Sequence, residues 1–354
     1  MARHLLCSLE TSRIVENISM LPDRNAIQDS CSDPILLLGK EIAEIYLGTG
    51  EPVQEIQFLT SSENRTYRIR CPHATYAMRV QRPGYHSEAE INAELEFVDI
   101  LAKHGVSIAK PLARRDGAFV SRLRGGQEDH LITLFHWVNG RHPEEHELPE
   151  VYASMGAIMG RMHSISERLG SQFASSRPHW GLEEIIGATA VWGNWDHPSH
   201  ISQNERGLVY RFLEVFQDKL SSCTYPLRRG LIHADMRPTN VMISSDRITM
   251  IDFDDCCHSW FLFDIAAAFS FLEHRPGLTR WVNNFLEGYQ TTYRLSSEDI
   301  SLLPYFIGLR RVQLMAWYFS HIDSEFGKSL GIEWLHESFA VLSGILEQRL
   351  VFSI

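Results

Sequence analysis

The chain has 354 residues, 44% hydrophobic and 22% charged, the proportions of a globular protein long enough for two ordinary domains with their own cores. A formal net charge of −11 argues against nucleic acid as a partner, because phosphate binding calls for a basic face. Six cysteines without CxxC or zinc-type spacing, no secretory segment in MARHLLCSLETSR, and no run near the roughly 18 apolar residues of a membrane span set the expectation of a cytoplasmic protein with no membrane partner.

Residues 1–33 are polar, lack periodicity and are expected to be irregular. From Pro34, ILLLGKEIAEIYLG has helical spacing and meets a stop at Gly48. Strands are expected at 53–60, 66–70 and 76–80; the polar stretch 61–65 between the first two contains Asn64, and the third strand carries Arg79. A helix follows at about 86–104, with Ile91, Leu95, Val98 and Ala102 on its buried stripe and Gly105 at its end. Glu94 flanks that stripe; Glu88, Glu90 and Glu96 compete with it for any inward role. Strands near 108–112, 118–122 and 130–138 complete a β-rich first part, closed by Asn139 and Gly140.

The rest is predicted to be helical. Met155, Ile158, Met159 and Met162 recur at core spacing on a helix at 151–163 and read as a packing stripe rather than a cofactor site. Residues 171–200, rich in Trp, Ser, His and Gly, have no period; Trp180, Trp192 and Trp195 either line a pocket or anchor a long loop. Further helices are expected at 202–220, 263–273, 279–293, 297–321 and 332–350. Asp264 opens one of them, where N-capping accounts for it. In FIGLRRVQLMAWYFSH, Arg310 and Arg311 are adjacent on a helix that also carries Trp317 and Tyr318. Both arginines cannot face the core, so one is expected to turn toward a site, where an acceptor carboxylate would suit it, and the other toward solvent. A salt bridge to a neighbouring helix is the alternative.

One stretch organises these elements: LIHADMRPTNVMISSDRITMIDFDD, residues 231–255, which reads as strand, loop, strand, tight turn, strand and loop. Asp235 and Asn240 stand five residues apart, and Asp252 emerges after an apolar strand, giving H-x-D-x-x-x-x-N followed by D-F-x. Phosphoryl transfer asks a protein mainly for position and charge neutralisation. Asp235 suits the carboxylate that meets an acceptor hydroxyl, and Arg237 the neutralisation of the transferred group. The oxygens of Asn240 and Asp252 suit magnesium, which keeps several waters and so needs few protein ligands. Turn-forming Asp and Asn in a surface hairpin would explain one such feature, but not six in order.

On these residues, with Asp264-Ile265-Ala266 after them, the chain resembles the aminoglycoside phosphotransferase and choline kinase family of the protein-kinase-like superfold. The resemblance implies an α+β, bilobal fold: a small β-rich nucleotide-binding lobe at 34–138, then a larger helical lobe at 139–354 with the catalytic loop and acceptor site. It implies that Asn64 lies in the loop over the nucleotide phosphates, and that Arg79 stands where most kinases carry a lysine and meets phosphate, paired with Glu94. It also implies that the carbonyl of His136 and the amide of Val138 read adenine at the hinge, and that His233 supports the loop while Asp264 helps to hold it. The expected activity is transfer from ATP or GTP, with Mg2+, to a hydroxyl of a small molecule of aminoglycoside, choline, homoserine or related amino-alcohol type. A stress-type protein Ser/Thr kinase of the same branch and a non-catalytic nucleotide-binding scaffold are the alternatives. Ala234, where regulated protein kinases carry arginine, and the lack of an A-P-E segment count against the first. Asp235, Asn240 and Asp252 count against the second, and Arg79 keeps it open.

Overall fold

The computed structural model describes residues 34–48, 52–61, 64–125, 128–197, 199–245 and 247–352; the segment 1–33 expected to be irregular lies outside them. Helix α1 (Pro34–Leu47) stops at Gly48, whose φ of +81° is the left-handed conformation that glycine takes without a Cβ penalty. Strands β1 (Glu55–Ser61), β2 (Arg65–Arg70) and β3 (Thr75–Val80) follow as an antiparallel meander. Helix α2 (Glu88–Lys103) starts at a capping box: the Ser87 hydroxyl accepts from the Glu90 amide, and the Glu90 carboxylate accepts from the Ser87 amide. Strands β4 (Pro111–Leu112), β5 (Ser121–Gly125) and β6 (Glu128–His136) complete a six-stranded sheet in the order β1-β2-β3-β6-β4, with β5 on β6. Alternation along the strands sorts the faces. Tyr67, Ile69, Met78, Val80, Ile132 and Leu134 are buried with Ile42 and Tyr46 of α1, whereas Ile91 and Leu95 of α2 pack with Val120.

The chain then runs through α3 (Leu148–Leu169), α4 (Leu182–Ile186), α5 (Gln203–Ser221), β7 (Arg229–Ile232), β8 (Val241–Ser244), β9 (Arg247–Met250), β10 (Cys257–Trp260), α6 (Phe261–Ala267), α7 (Leu278–Gln290), α8 (Ser297–Ser320) and α9 (Glu325–Leu346). Strand β10 pairs antiparallel with β7, and β8 with β9. Met155, Met159 and Met162 are fully buried, as a packing stripe should be. Helices α3 and α7 approach closely because a Cβ at Gly156 would collide with the Phe285 carbonyl, and one at Gly288 with that of Ala153.

The chain forms two compact units, one β-rich and one helical. The first holds the residues through His142 with Ala174–Arg177 and Met242–Asp254; the second holds Pro143–Phe173, Pro178–Val241 and Asp255–Ile354. The β8–β9 hairpin counts with the first because Met250 bridges Ile108, and Ile243 exchanges backbone hydrogen bonds with Arg141.

Candidate active site

In the β-rich unit the register of β3 sets Arg79 between Thr66 of β2 and Thr133 of β6. The side chain is buried, and its Nη2 donates to both carboxylate oxygens of Glu94, at 2.8 and 2.9 Å. Structure separates the four helix glutamates: Glu90 caps α2, Glu88 pairs with the exposed Arg122, Glu96 is exposed, and Glu94 alone is fully buried. Nη1 of Arg79 lies 3.9 Å from Asp252 and 3.7 Å from Asp254. Burial acts to lower the pKa of this guanidinium, but Glu94, Asp254 and Asp252 outweigh it and hold Arg79 above its ordinary value. One guanidinium among three carboxylates leaves this cluster two negative charges.

Asp252 has a φ of +64°, and its side chain is 53% exposed. Two residues on, the Asp254 carbonyl accepts from His86 Nε2 at 2.9 Å and from Arg177 Nη2 at 2.6 Å. The buried Arg177 also donates to the Glu90 carbonyl at 3.3 Å, so it ties the segment after Asp252 to α2. Nothing in the aperiodic stretch 171–200 singled Arg177 out. Asn64 is buried and its Oδ1 accepts from the Arg82 amide at 2.8 Å, so any hold on phosphate falls to its Nδ2. His136 ends β6 with its amide on the Lys110 carbonyl, and Trp137 donates to Thr75; among the described residues no backbone hydrogen bond occupies the Val138 amide.

In the helical unit the loop after β7 hangs on Asp264. Its carboxylate accepts from the His233 amide at 3.0 Å, the Ala234 amide at 2.8 Å and His163 Nε2 at 2.9 Å. Asp264 therefore does not cap its helix, as the sequence suggested. Trp260 occupies the N-cap position, Asp264 lies within α6, and its carboxylate serves the loop. Burial alone would raise its pKa, but the hydrogen bonds and charges of His163 and His233 hold it below the usual carboxylate range. Those bonds also keep Ala234 at a φ of +67°, uncommon for a residue with a side chain. His233 is buried, and its Nδ1 accepts from the Asp235 amide at 3.3 Å.

Asp235 receives three side chains. Oδ1 accepts from Arg310 Nη2 at 2.9 Å; Oδ2 accepts from Arg237 Nε at 3.0 Å and Asn240 Nδ2 at 2.9 Å. The 3₁₀ turn Pro238–Asn240 folds Asn240 back, and its Nδ2 also reaches the Asp235 carbonyl at 2.8 Å. Two guanidiniums thus outnumber the one carboxylate they bond, with Asp255 a further carboxylate that acts on Arg310.

The expectation that one of Arg310 and Arg311 turns to solvent is overturned, for both are fully buried: Arg310 faces Asp235, and Arg311 takes the salt-bridge alternative. Successive helix residues diverge by about 100°, so each finds its own partners. Arg311 donates to Glu273 at 2.7 Å, the Trp334 carbonyl at 2.8 Å and Ser338 at 2.8 Å. The tryptophans also separate: Trp180 and Trp195 are buried anchors, whereas Trp192 lies over the Arg310 guanidinium, 4.6 Å from ring centroid to carbon.

Each unit holds an oxygen donor of the kind a hard divalent cation takes. Asn240 commits its amide nitrogen to Asp235, leaving Oδ1 as its atom able to coordinate, and Asp252 presents a half-exposed carboxylate. Among the described residues no three His, Cys, Asp or Glu side chains gather as a metal cage, and a cation that keeps several waters needs none.

The Phosphotransferase enzyme family matches residues 55–298. The chain belongs to this family. It is 24% identical to the amicoumacin kinase of Bacillus subtilis over 291 residues, 77% of this chain and 82% of that protein. It is 27% identical to the homoserine kinase of Rhizobium etli over 263 residues, 73% of this chain and 75% of that protein. Among solved structures, a microcompartment-associated aminopropanol kinase superposes with a TM-score of 0.77 at 29% identity, covering 88% of this chain and 98% of that one. An amicoumacin kinase in complex with AMP-PNP, Ca2+ and Ami gives 0.70 at 20% identity, covering 94% and 98%. The family member described here thus has the α+β, bilobal protein-kinase-like fold and is a kinase-type phosphotransferase. Among its described residues no helix is long and apolar enough to cross a membrane.

Proposed function

We propose that this phosphotransferase moves the γ-phosphoryl group of ATP or GTP to a hydroxyl of a small acceptor of the aminoglycoside, choline, homoserine or related amino-alcohol type. The observation that carries the reading is the Asp235 carboxylate, oriented from both oxygens by Arg310, Arg237 and Asn240 on a loop suspended from Asp264. Amicoumacin, homoserine and aminopropanol kinases among the similar proteins support the small-molecule class.

Asp235 is the catalytic base: it accepts the acceptor hydroxyl's proton and aims its lone pair in line with the phosphorus. Arg237, from the cluster with excess positive charge, neutralises the transferred group. Arg79, oriented by Glu94, meets nucleotide phosphate, with Asn64 in the neighbouring loop and the His136 carbonyl and Val138 amide toward adenine. Asn240 and Asp252 each offer one oxygen to magnesium. When bound, the cation shields phosphate charge. Residues 34–138 serve as the nucleotide domain and 139–354 as the catalytic and acceptor domain.

The test is nucleotide consumption with ATP and with GTP, with and without Mg2+, over a panel of homoserine, choline, 1-amino-2-propanol and aminoglycosides. Magnesium-dependent phosphorylation of one panel member supports the reading. Binding of nucleotide without transfer to any member would instead favour a scaffold.

A further inference from the structure

Of the three side chains on Asp235, Arg310 is by far the most distant in sequence, and it lies beyond the last residue of the family match. Its surroundings are unusual for a cation. It is fully buried, and every nitrogen is committed: Nη2 to Asp235 Oδ1 at 2.9 Å, Nε to Ser270 Oγ at 2.9 Å, and Nη1 to Gln313 Oε1 at 2.8 Å. Trp192 and Phe263 cover the guanidinium, at 4.6 and 5.9 Å. Ser270 and Gln313 are neutral, so of the groups bonded to the guanidinium Asp235 is the one that carries charge, while Asp255 and Glu273 act on it as further carboxylates. Burying an arginine is costly unless its charge is matched, and where packing alone matters an apolar residue of similar volume often does as well. Arg311 next door shows the ordinary solution, a buried pair with Glu273 away from the site. Arg310 instead spends its charge on the carboxylate assigned to catalysis.

We propose that Arg310 is the positioning residue of Asp235. Arg237 and Asn240 hold Oδ2 alone, a single point about which the carboxylate group can still swing. Arg310 pins the other oxygen from a rigid, fully bonded guanidinium, which fixes the plane of the group and so the direction from which a hydroxyl must approach. Trp192, lying on that guanidinium, links the 171–200 stretch to the same geometry. A misplacement of about 1 Å in such a group is enough to cost on the order of 10²-fold in rate.

This proposal rests on the phosphotransfer reading above, and a double-mutant cycle tests it without depending on that reading alone. Arg310→Met, Arg310→Lys, Asp235→Asn and the Arg310→Met/Asp235→Asn pair are assayed with Mg–ATP against homoserine, choline, 1-amino-2-propanol, aminoglycosides and water, with the Kd for AMP-PNP from calorimetry. Arg310→Met should lower kcat by about 10²-fold, Arg310→Lys by less, and both should leave the AMP-PNP Kd within about two-fold. In the Asp235→Asn background Arg310→Met should cost under about three-fold more, because the group it positions is gone. The same loss in both backgrounds, or a loss seen in nucleotide affinity, would overturn the proposal. If the wild-type chain turns over no ATP, the phosphotransfer reading fails, and the pairing is read from unfolding instead. Asp235→Asn should then lower Tm by several degrees in the Arg310 chain and by much less in the Arg310→Met chain. Equal drops in both would overturn the positioning assignment.

Discussion

The two charged clusters of this phosphotransferase are built as opposites. In the β-rich unit one arginine, Arg79, sits among Glu94, Asp252 and Asp254, and the sum is negative. In the helical unit one carboxylate, Asp235, sits among Arg237, Arg310 and Asn240, and the sum is positive. A negative cluster suits a divalent cation carrying phosphates, and a positive one suits the phosphoryl group as its charge moves. Their construction differs as well. Arg79 and Glu94 are 15 residues apart, joined by one strand and the helix after it, whereas Arg310 and Asp235 are 75 apart and depend on the packing of several helices.

Substitutions can break either cluster separately. The largest effect is expected from Asp235→Asn, which keeps shape but removes the charge and proton affinity: turnover should fall by about 10²–10⁴-fold while calorimetry finds nucleotide binding largely intact. Near-normal turnover would show that the base lies elsewhere. Arg79→Ala should do the reverse. It should weaken nucleotide binding and, by leaving Glu94 buried without its partner, cost about 3–5 kcal/mol in denaturant unfolding. Arg79→Lys should retain part of both, and nucleotide affinity equal to wild type in Arg79→Ala would remove the phosphate role.

Asp264→Asn probes what suspends the second cluster. It loses charged acceptors for the His233 and Ala234 amides, so about 1.5–3 kcal/mol of stability should go, with turnover, while nucleotide affinity stays. The last effect vanishes at neutral pH and concerns the neighbourhood of Arg311, which serves neither cluster. Burial first, then the charges of Arg311 and Arg275, press the His274 pKa down to about 3. An unfolded histidine takes its proton near pH ~6.5, so below that pH the unfolded chain binds more protons. This contribution is complete above the unfolded value and is lost as pH falls toward 3, by about 1.4 kcal/mol for each pH unit. His274→Gln should flatten that limb of a stability–pH curve; an unchanged slope would mean that other groups set it.

The turn that joins Asp235 to Asn240 and the strand that carries Arg79 were legible in the sequence, because their spacing is set by local geometry. A turn of fixed length returns Asn240 to Asp235, and strand alternation turns Arg79 inward. Helix spacing leaves four glutamates as partners for Arg79, the family resemblance points to Glu94, and it is Glu94 that is buried and hydrogen-bonded to Arg79. For Asp264 the family resemblance points to the loop, which its carboxylate does hold, while local capping does not account for it, because a position at the head of a helix says nothing of which way a carboxylate turns. His163, Arg177 and the buried state of both Arg310 and Arg311 were beyond reach of pattern alone.

The sequence by itself determined most of the order of strands and helices, though neither β10 nor the short α4, together with the loop of Asp235 and the class of chemistry, since periodicity and short-range spacing survive without knowledge of distant neighbours. Only the tertiary structure decided which charges meet. An arginine on α8 and a histidine on α3 carry no local mark of their partners. A cation enters a core only where a distant carboxylate waits for it, and that compensation exists only once the helices have packed.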